Sequence, residues 1–188
     1  MSGHFIKYLL GLLFVLIISS VGPPTFAEPI RGFDFPKRIG QFNLGSIVNF
    51  ERAKPGLGYG LPYNAPGVKA TVYVYNNGIS NLPTGIDSRI VKHQFNSACG
   101  DIEKVNSDAQ RYRADERFTV AGIPLLHAVY MYTEVKPGIR KPVLSHLYFS
   151  SLKGNFIKIR ITYSPDETPN GERLQVQFVE SLCKILAK

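Results

Sequence analysis

A nucleophile needs a base within reach, and this chain brings few such partners together. Ser145 and His146 are adjacent, and adjacent side chains of a strand point to opposite faces, so they do not pair. No Gly-x-Ser-x-Gly elbow occurs. His93, His127 and His146 fall in different predicted elements, and none has a second ligand at short spacing. No metal ion and no cofactor is therefore expected. Cys99 and Cys183 lie on or next to the apolar sides of two predicted helices, which argues against catalytic thiols. If those helices pack side by side on one sheet face, the two cysteines can form a disulfide. The alternative is two buried free thiols. Gly56-Leu57-Gly58-Tyr59-Gly60 invites a phosphate-loop reading, but Pro55 precedes it, Pro62 and Pro66 follow it, and no Lys-Ser/Thr end appears. It reads as a turn-rich loop over 54–67 that presents Tyr59 and Tyr63 as candidate binding residues. The chain is expected not to be an enzyme.

The remaining constellation is cationic and depends on a hairpin over 143–163. Ile157, Ile159, Ile161 and Tyr163 alternate with Phe156, Lys158, Arg160 and Thr162, the two-residue period of a half-buried strand. A three-residue loop, Lys153-Gly154-Asn155, sets Phe149 opposite Ile159 and Leu147 opposite Ile161, gathering the apolar residues on one face. The other face then carries His146, Tyr148, Lys158 and Arg160 together, a candidate site for an anionic group held by charge-assisted hydrogen bonds.

The elements that must position these residues follow from periodicity and turn signals. A short strand is expected over 47–51 and a second over 68–75, ended by Asn76-Asn77-Gly78. Asp87 or Ser88 caps a helix whose apolar side is Val91, Phe95, Ala98, Cys99, Ile102 and Val105. Gly100 inside it suggests close approach to a sheet. Strands resume over 117–120 and 125–134, and Pro137-Gly138 turns into the hairpin. Asn170 caps a last helix with Leu174, Phe178, Leu182, Ile185 and Leu186 on its apolar stripe. Few helices fall between neighbouring strands, so the fold class is α+β, a mainly antiparallel sheet with two packed helices.

Residues 1–27 combine Lys7, an apolar run and a Thr25-Phe26-Ala27 exit, the pattern of a secretory signal peptide. Pro23-Pro24 ends any helix there, and the run is short for a membrane span. Residues 28–188 then form a single domain, with 28–45 a loosely packed N-terminal arm that Phe33, Phe35, Ile39 and Phe42 could tack to the core. The full chain carries +8. Without Lys7, 21 basic residues face 14 acidic ones. Such a surface suits an anionic partner, and export makes nucleic acid a poor choice.

The runs Pro55-Gly56-Leu57-Gly58-Tyr59, Ala70-Thr71-Val72-Tyr73-Val74-Tyr75 and Phe156-Ile157-Lys158-Ile159-Arg160-Ile161-Thr162-Tyr163 resemble a family of bacterial exported proteins of unknown function. The Val120-Ala121-Gly122-Ile123-Pro124 turn into a long strand, the late hairpin and the closing helix resemble the PsbP-like αβα sandwich. That likeness implies a non-catalytic binding or assembly role. The function expected is an exported, periplasmic or secreted domain that binds an envelope component or protein partner. The rivals are a binder of a small anionic ligand or lipid in a sheet–helix pocket, and a hydrolase with an unrecognised site.

Overall fold

The structure is a computed structural model that describes residues 29–188; the expected signal segment lies outside the described residues. Strands β1 (Arg38–Ile39), β2 (Phe42–Leu44), β3 (Val48–Asn49), β4 (Tyr59–Ala65) and β5 (Val68–Tyr75) come first, and helix α1 (Arg89–Val105) follows. Strands β6 (Gln110–Val120), β7 (Ile123–Lys136), β8 (Ile139–Leu152) and β9 (Asn155–Tyr163) precede the closing helix α2 (Asn170–Leu186). Among the described residues the nine strands form one antiparallel sheet in the order β1-β2-β4-β5-β9-β8-β7-β6, with β3 also on β4. The chain leaves β5, crosses one face as α1, and returns by the β6–β9 meander until β9 seats beside β5. The α+β class and the antiparallel sheet expected from periodicity are what the molecule shows.

The helices lie on opposite faces. Val91, Phe95, Ala98, Cys99 and Ile102 of α1 pack with Leu126, Ala128, Tyr130, Leu147, Phe149 and Phe156. Leu174, Phe178, Leu182 and Cys183 of α2 pack with Val72, Val74, Ile157, Ile159 and Ile161. Of the two readings of Cys99 and Cys183, the possible disulfide is corrected and the alternative holds: both thiols are free and buried, one under each helix, with the sheet between them. Cysteines on opposite faces of a sheet cannot meet the close Cα spacing a disulfide needs.

The hairpin register is corrected as well. The turn is two residues, Lys153-Gly154, both at positive φ (48° and 69°), and Leu152 pairs with Asn155. Turns of this hand match the twist of the flanking strands. Leu147 lies opposite Arg160 and Phe149 opposite Lys158, while His146 and Tyr148 face Ile161 and Ile159. The expectation assumed one buried face. With a helix on each face, β8 is apolar on both parities, Val143, Leu147 and Phe149 on one and Leu144 and Tyr148 on the other, so apolar pattern alone no longer selects the register.

Two segments read as irregular are ordered parts of the fold. In place of a loose arm, 30–44 supplies β1 and β2 and buries Phe33, Phe35, Ile39 and Phe42, with the Phe42 ring centroid 4.6 Å from that of Phe178 and the rings tilted by 51°. The expected loop over 54–67 contains β4, whose Leu61 and Tyr63 enter the α2-face core. Pro62 is tolerated because β4 changes partner there, pairing β3 up to Gly60 and β2 from Tyr63.

Helix ends and contacts differ in detail. Ser88 caps α1, its Oγ accepting from the Val91 N–H at 3.3 Å, whereas Asn170 is the first residue of α2 and Pro169 occupies the cap position. Val105 is 80% exposed rather than part of the apolar stripe. A Cβ on Gly100 would meet nothing within 4 Å, so close packing is not its role; a Cβ on Gly171 would collide with the Tyr163 ring. Gly100→Ala is expected to raise stability by about 0.5–1 kcal/mol through helix propensity. Gly171→Ala is expected to lower it by about 1–3 kcal/mol through overpacking. Urea unfolding of the two variants checks both signs.

Candidate functional site

The register separates the residues that the sequence had grouped. Lys158 and Arg160 stand on the α1 face of the sheet, beside Tyr73 and Thr71 of β5. His146 and Tyr148 stand on the α2 face. Tyr59 is half-buried in β4, and Tyr63 is fully buried, its hydroxyl donating to the Pro36 carbonyl at 2.7 Å. Burial raises the Tyr63 phenol above its ordinary value. As a core residue, Tyr63 is closed to an outside partner.

The glycine run is occupied by the protein itself. Gly56 and Gly58 donate their N–H groups to the Glu51 carboxylate at 2.9 and 2.7 Å, and Arg31 pairs with the same carboxylate. The Gly56 N–H and then Arg31 hold Glu51 below the usual carboxylate range. Gly58, at φ 72°, lies against the Val74 carbonyl and Tyr75, where no side chain fits. This loop is an internal anion cradle, filled by Glu51, that locks the end of β5.

On the α1 face the cations sit among tyrosines. Lys158 Nζ lies 4.4 Å from the Tyr73 ring centroid and 5.9 Å from that of Tyr75. Arg160 donates through Nη2 to the Tyr132 hydroxyl at 2.9 Å and through Nε to Ser145 Oγ at 3.1 Å. Among the described residues, no ion pair within 4.0 Å involves either cation. Burial holds the Lys158 ammonium below its ordinary range; Asp101 pulls it back and Arg160 adds to the depression. Two open cavities flank the pair and share Tyr73 as a wall. One, of about 250 Å³, contains Lys158, Tyr75, Gln94 and Asp101. The other, of about 350 Å³, contains Arg160, Lys69, Tyr132 and Glu134.

On the α2 face a polar chain runs from the surface into the core. His127 Nδ1 lies 3.1 Å from Glu116 Oε2, His127 Nε2 lies 3.1 Å from His146 Nδ1, and His146 Nε2 lies 3.0 Å from the Tyr163 hydroxyl. An ionised carboxylate only accepts, and burial favours neutral imidazoles at both histidines; together these assign the direction of every bond. His127 donates to Glu116, His146 donates to His127, and Tyr163 donates to His146. Both imidazoles are then neutral, and all four ring nitrogens are engaged. Tyr148 stacks on His127 at 4.2 Å and accepts from Gln175 of α2. The rings floor an open cavity of about 310 Å³ rimmed by Arg113, Glu116, Glu172 and Val176.

In the sequence His127 has no second metal ligand at short spacing and so does not stand out as a site residue. The usable signal was Pro137-Gly138: a two-residue turn there makes His127 and Tyr148 a cross-strand rung, with His146 on the diagonal. Among the described residues, no group of three or more His, Cys, Asp or Glu side chains is placed to hold a metal ion.

No family model and no curated protein matches the chain. Among solved structures, a Pseudomonas aeruginosa protein of unknown function is similar at 12% identity, over 85% of this chain and 96% of that one, with a TM-score of 0.44. The Saccharomyces cerevisiae Ran-binding protein Mog1p is similar at 12% identity, over 86% of this chain and 94% of that one, with a TM-score of 0.45.

Burial depresses both histidines, His146 to about 3. Their folded values lie below the unfolded value of 6.5, so the unfolded chain takes up protons first. The contribution is whole above about pH 6.5 and is lost as pH falls toward the folded values, with a slope of up to about 1.4 kcal/mol per pH unit for each histidine. Urea midpoints measured from neutral to mildly acid pH are expected to fall, and His146→Gln is expected to flatten that dependence.

Proposed function

We propose that this chain is a non-catalytic exported binding domain whose α1-face groove takes an anionic group of a protein or envelope partner. Lys158 carries the reading. A half-buried ammonium without a carboxylate partner is costly to keep charged, and here it opens onto a cavity beside Arg160. An incoming anion would complete the charge, with Tyr73, Tyr75 and Tyr132 supplying stacking surface and hydroxyls. The cavity volumes also suit a small anionic ligand, which is the second reading.

The absence of catalysis is supported by the state of the histidines. Both ring nitrogens of His127 and of His146 already have protein partners, and neither Ser nor Cys takes part in that chain of bonds. Export is supported by the residue pattern of 1–27.

Lys158→Gln/Arg160→Gln is expected to keep its fold, since neither residue belongs to an ion pair, and to lose partner capture from envelope extract by about tenfold or more. Undiminished capture would dismiss the groove. Calorimetric titration with small carboxylates and phosphates tests the second reading. Mass spectrometry of the mature N-terminus is expected to show a chain that begins at Glu28; one that begins at Met1 would remove export from the proposal.

A further inference from the structure

The longest strands overrun the sheet. Pairing of β6 with β7 and of β9 with β8 reaches the level of the Met131–Leu144 rung and goes no further. The β7–β8 ladder continues past it, from Tyr132↔Val143 to Lys136↔Ile139. Beyond buried Tyr132 and Val143, residues 133–142 form a two-stranded arm closed by Pro137-Gly138, about 16 Å long at the usual rise per residue. Its base is fixed. Thr133 N–H donates to Asp108 at 3.0 Å, and Glu134 lies between Lys69 at 3.4 Å and Lys136 at 2.9 Å.

The end of the arm pairs aliphatic side chains with cations. Val135 is 63% exposed and Ile139 50% exposed, and Lys136, Arg140 and Lys141 are exposed around them. Among the described residues, no carboxylate lies within 4.0 Å of Arg140 or Lys141. Val135 shares a rung with Arg140, and Ile139 shares the next rung with Lys136. Successive rungs project to opposite faces, so neither face of the ribbon carries a one-sided apolar stripe for a protein groove. Pro142 and the three cations also blunt the open edges against strand addition. What the tip offers is an end, apolar and cationic on both sides.

We infer that this arm docks end-on into an anionic lipid surface. Val135 and Ile139 enter the headgroup layer, and Lys136, Arg140 and Lys141 meet lipid phosphates. Among the described residues no helix is long and apolar enough to cross a membrane, and the arm needs none.

The test is co-sedimentation of the full protein with vesicles of phosphatidylcholine containing phosphatidylglycerol, against phosphatidylcholine alone. Val135→Asp/Ile139→Asp and Arg140→Glu/Lys141→Glu, with Lys158→Gln/Arg160→Gln as the control, are compared in the same background. Binding is expected on the anionic vesicles only and to weaken with salt. Each arm variant is expected to lose about tenfold or more in affinity at unchanged melting temperature, and the groove variant to bind as wild type. Equal binding to neutral vesicles, arm variants that bind like wild type, loss confined to the groove variant, or an arm that captures a protein and ignores both vesicles would each overturn the inference.

Discussion

The fold depends on a sheet that carries a helix and an apolar core on each face. β9 lies between β5 and β8, with α1 above it and α2 below, and it must serve two cores at once. Ile157, Ile159 and Ile161 face α2, and Phe156 faces α1 with Leu147 and Phe149 of the neighbouring strand. With apolar side chains on both parities, the hydrophobic pattern cannot choose between registers one residue apart. The choice falls to the Lys153-Gly154 turn, whose backbone twist agrees with that of the strands it joins. Every polar position on β8 and β9 is assigned to one side or the other by that turn.

The polar clusters around the hairpin on the two faces are different kinds of object. The chain Glu116–His127–His146–Tyr163 is saturated: with both imidazoles neutral every donor has one acceptor, and the carboxylate at its end sets the direction. Such a network holds edge strands together and ties the sheet to α2 through Tyr148 and Gln175. The Lys158–Arg160 pair is the reverse. Its hydrogen bonds go to neutral hydroxyls, its aromatic neighbours offer ring faces, and its positive charge is left without a close counter-ion. Saturation marks structure, and unbalanced charge beside open space marks a place for a partner.

Glu51 shows the same logic turned inward. Two glycine N–H groups and Arg31 form a site for an anion, and the chain fills it with its own carboxylate. That contact seats the glycine run against the end of β5 and brings the N-terminal strands into the α2-face core. Local composition there suggested a loop and a loose arm. Burial of Phe33, Phe35, Phe42, Leu61 and Tyr63 outweighed the proline and glycine content of the same segment.

Local chemistry in the sequence determined the helices, the strands β5, β7, β8 and β9, the end of β6, the turns at Asn76-Asn77-Gly78 and Pro137-Gly138, and hence the α+β class. These rest on periodicity and on backbone preferences of neighbouring residues, which act over a few positions. The sequence also nominated Lys158 and Arg160, as two cations side by side on the polar parity of an alternating strand. Tertiary structure alone decided which helix covers which face, and so that Cys99 and Cys183 stand on opposite sides of the sheet. It likewise decided that His146 parts company with Lys158, that His127 joins His146, and that Tyr63 is core. Those outcomes turn on long-range packing: β8 carries apolar side chains on both parities, so its pattern does not say which of them meets the polar parity of β9, and only its neighbours settle which way each side chain points.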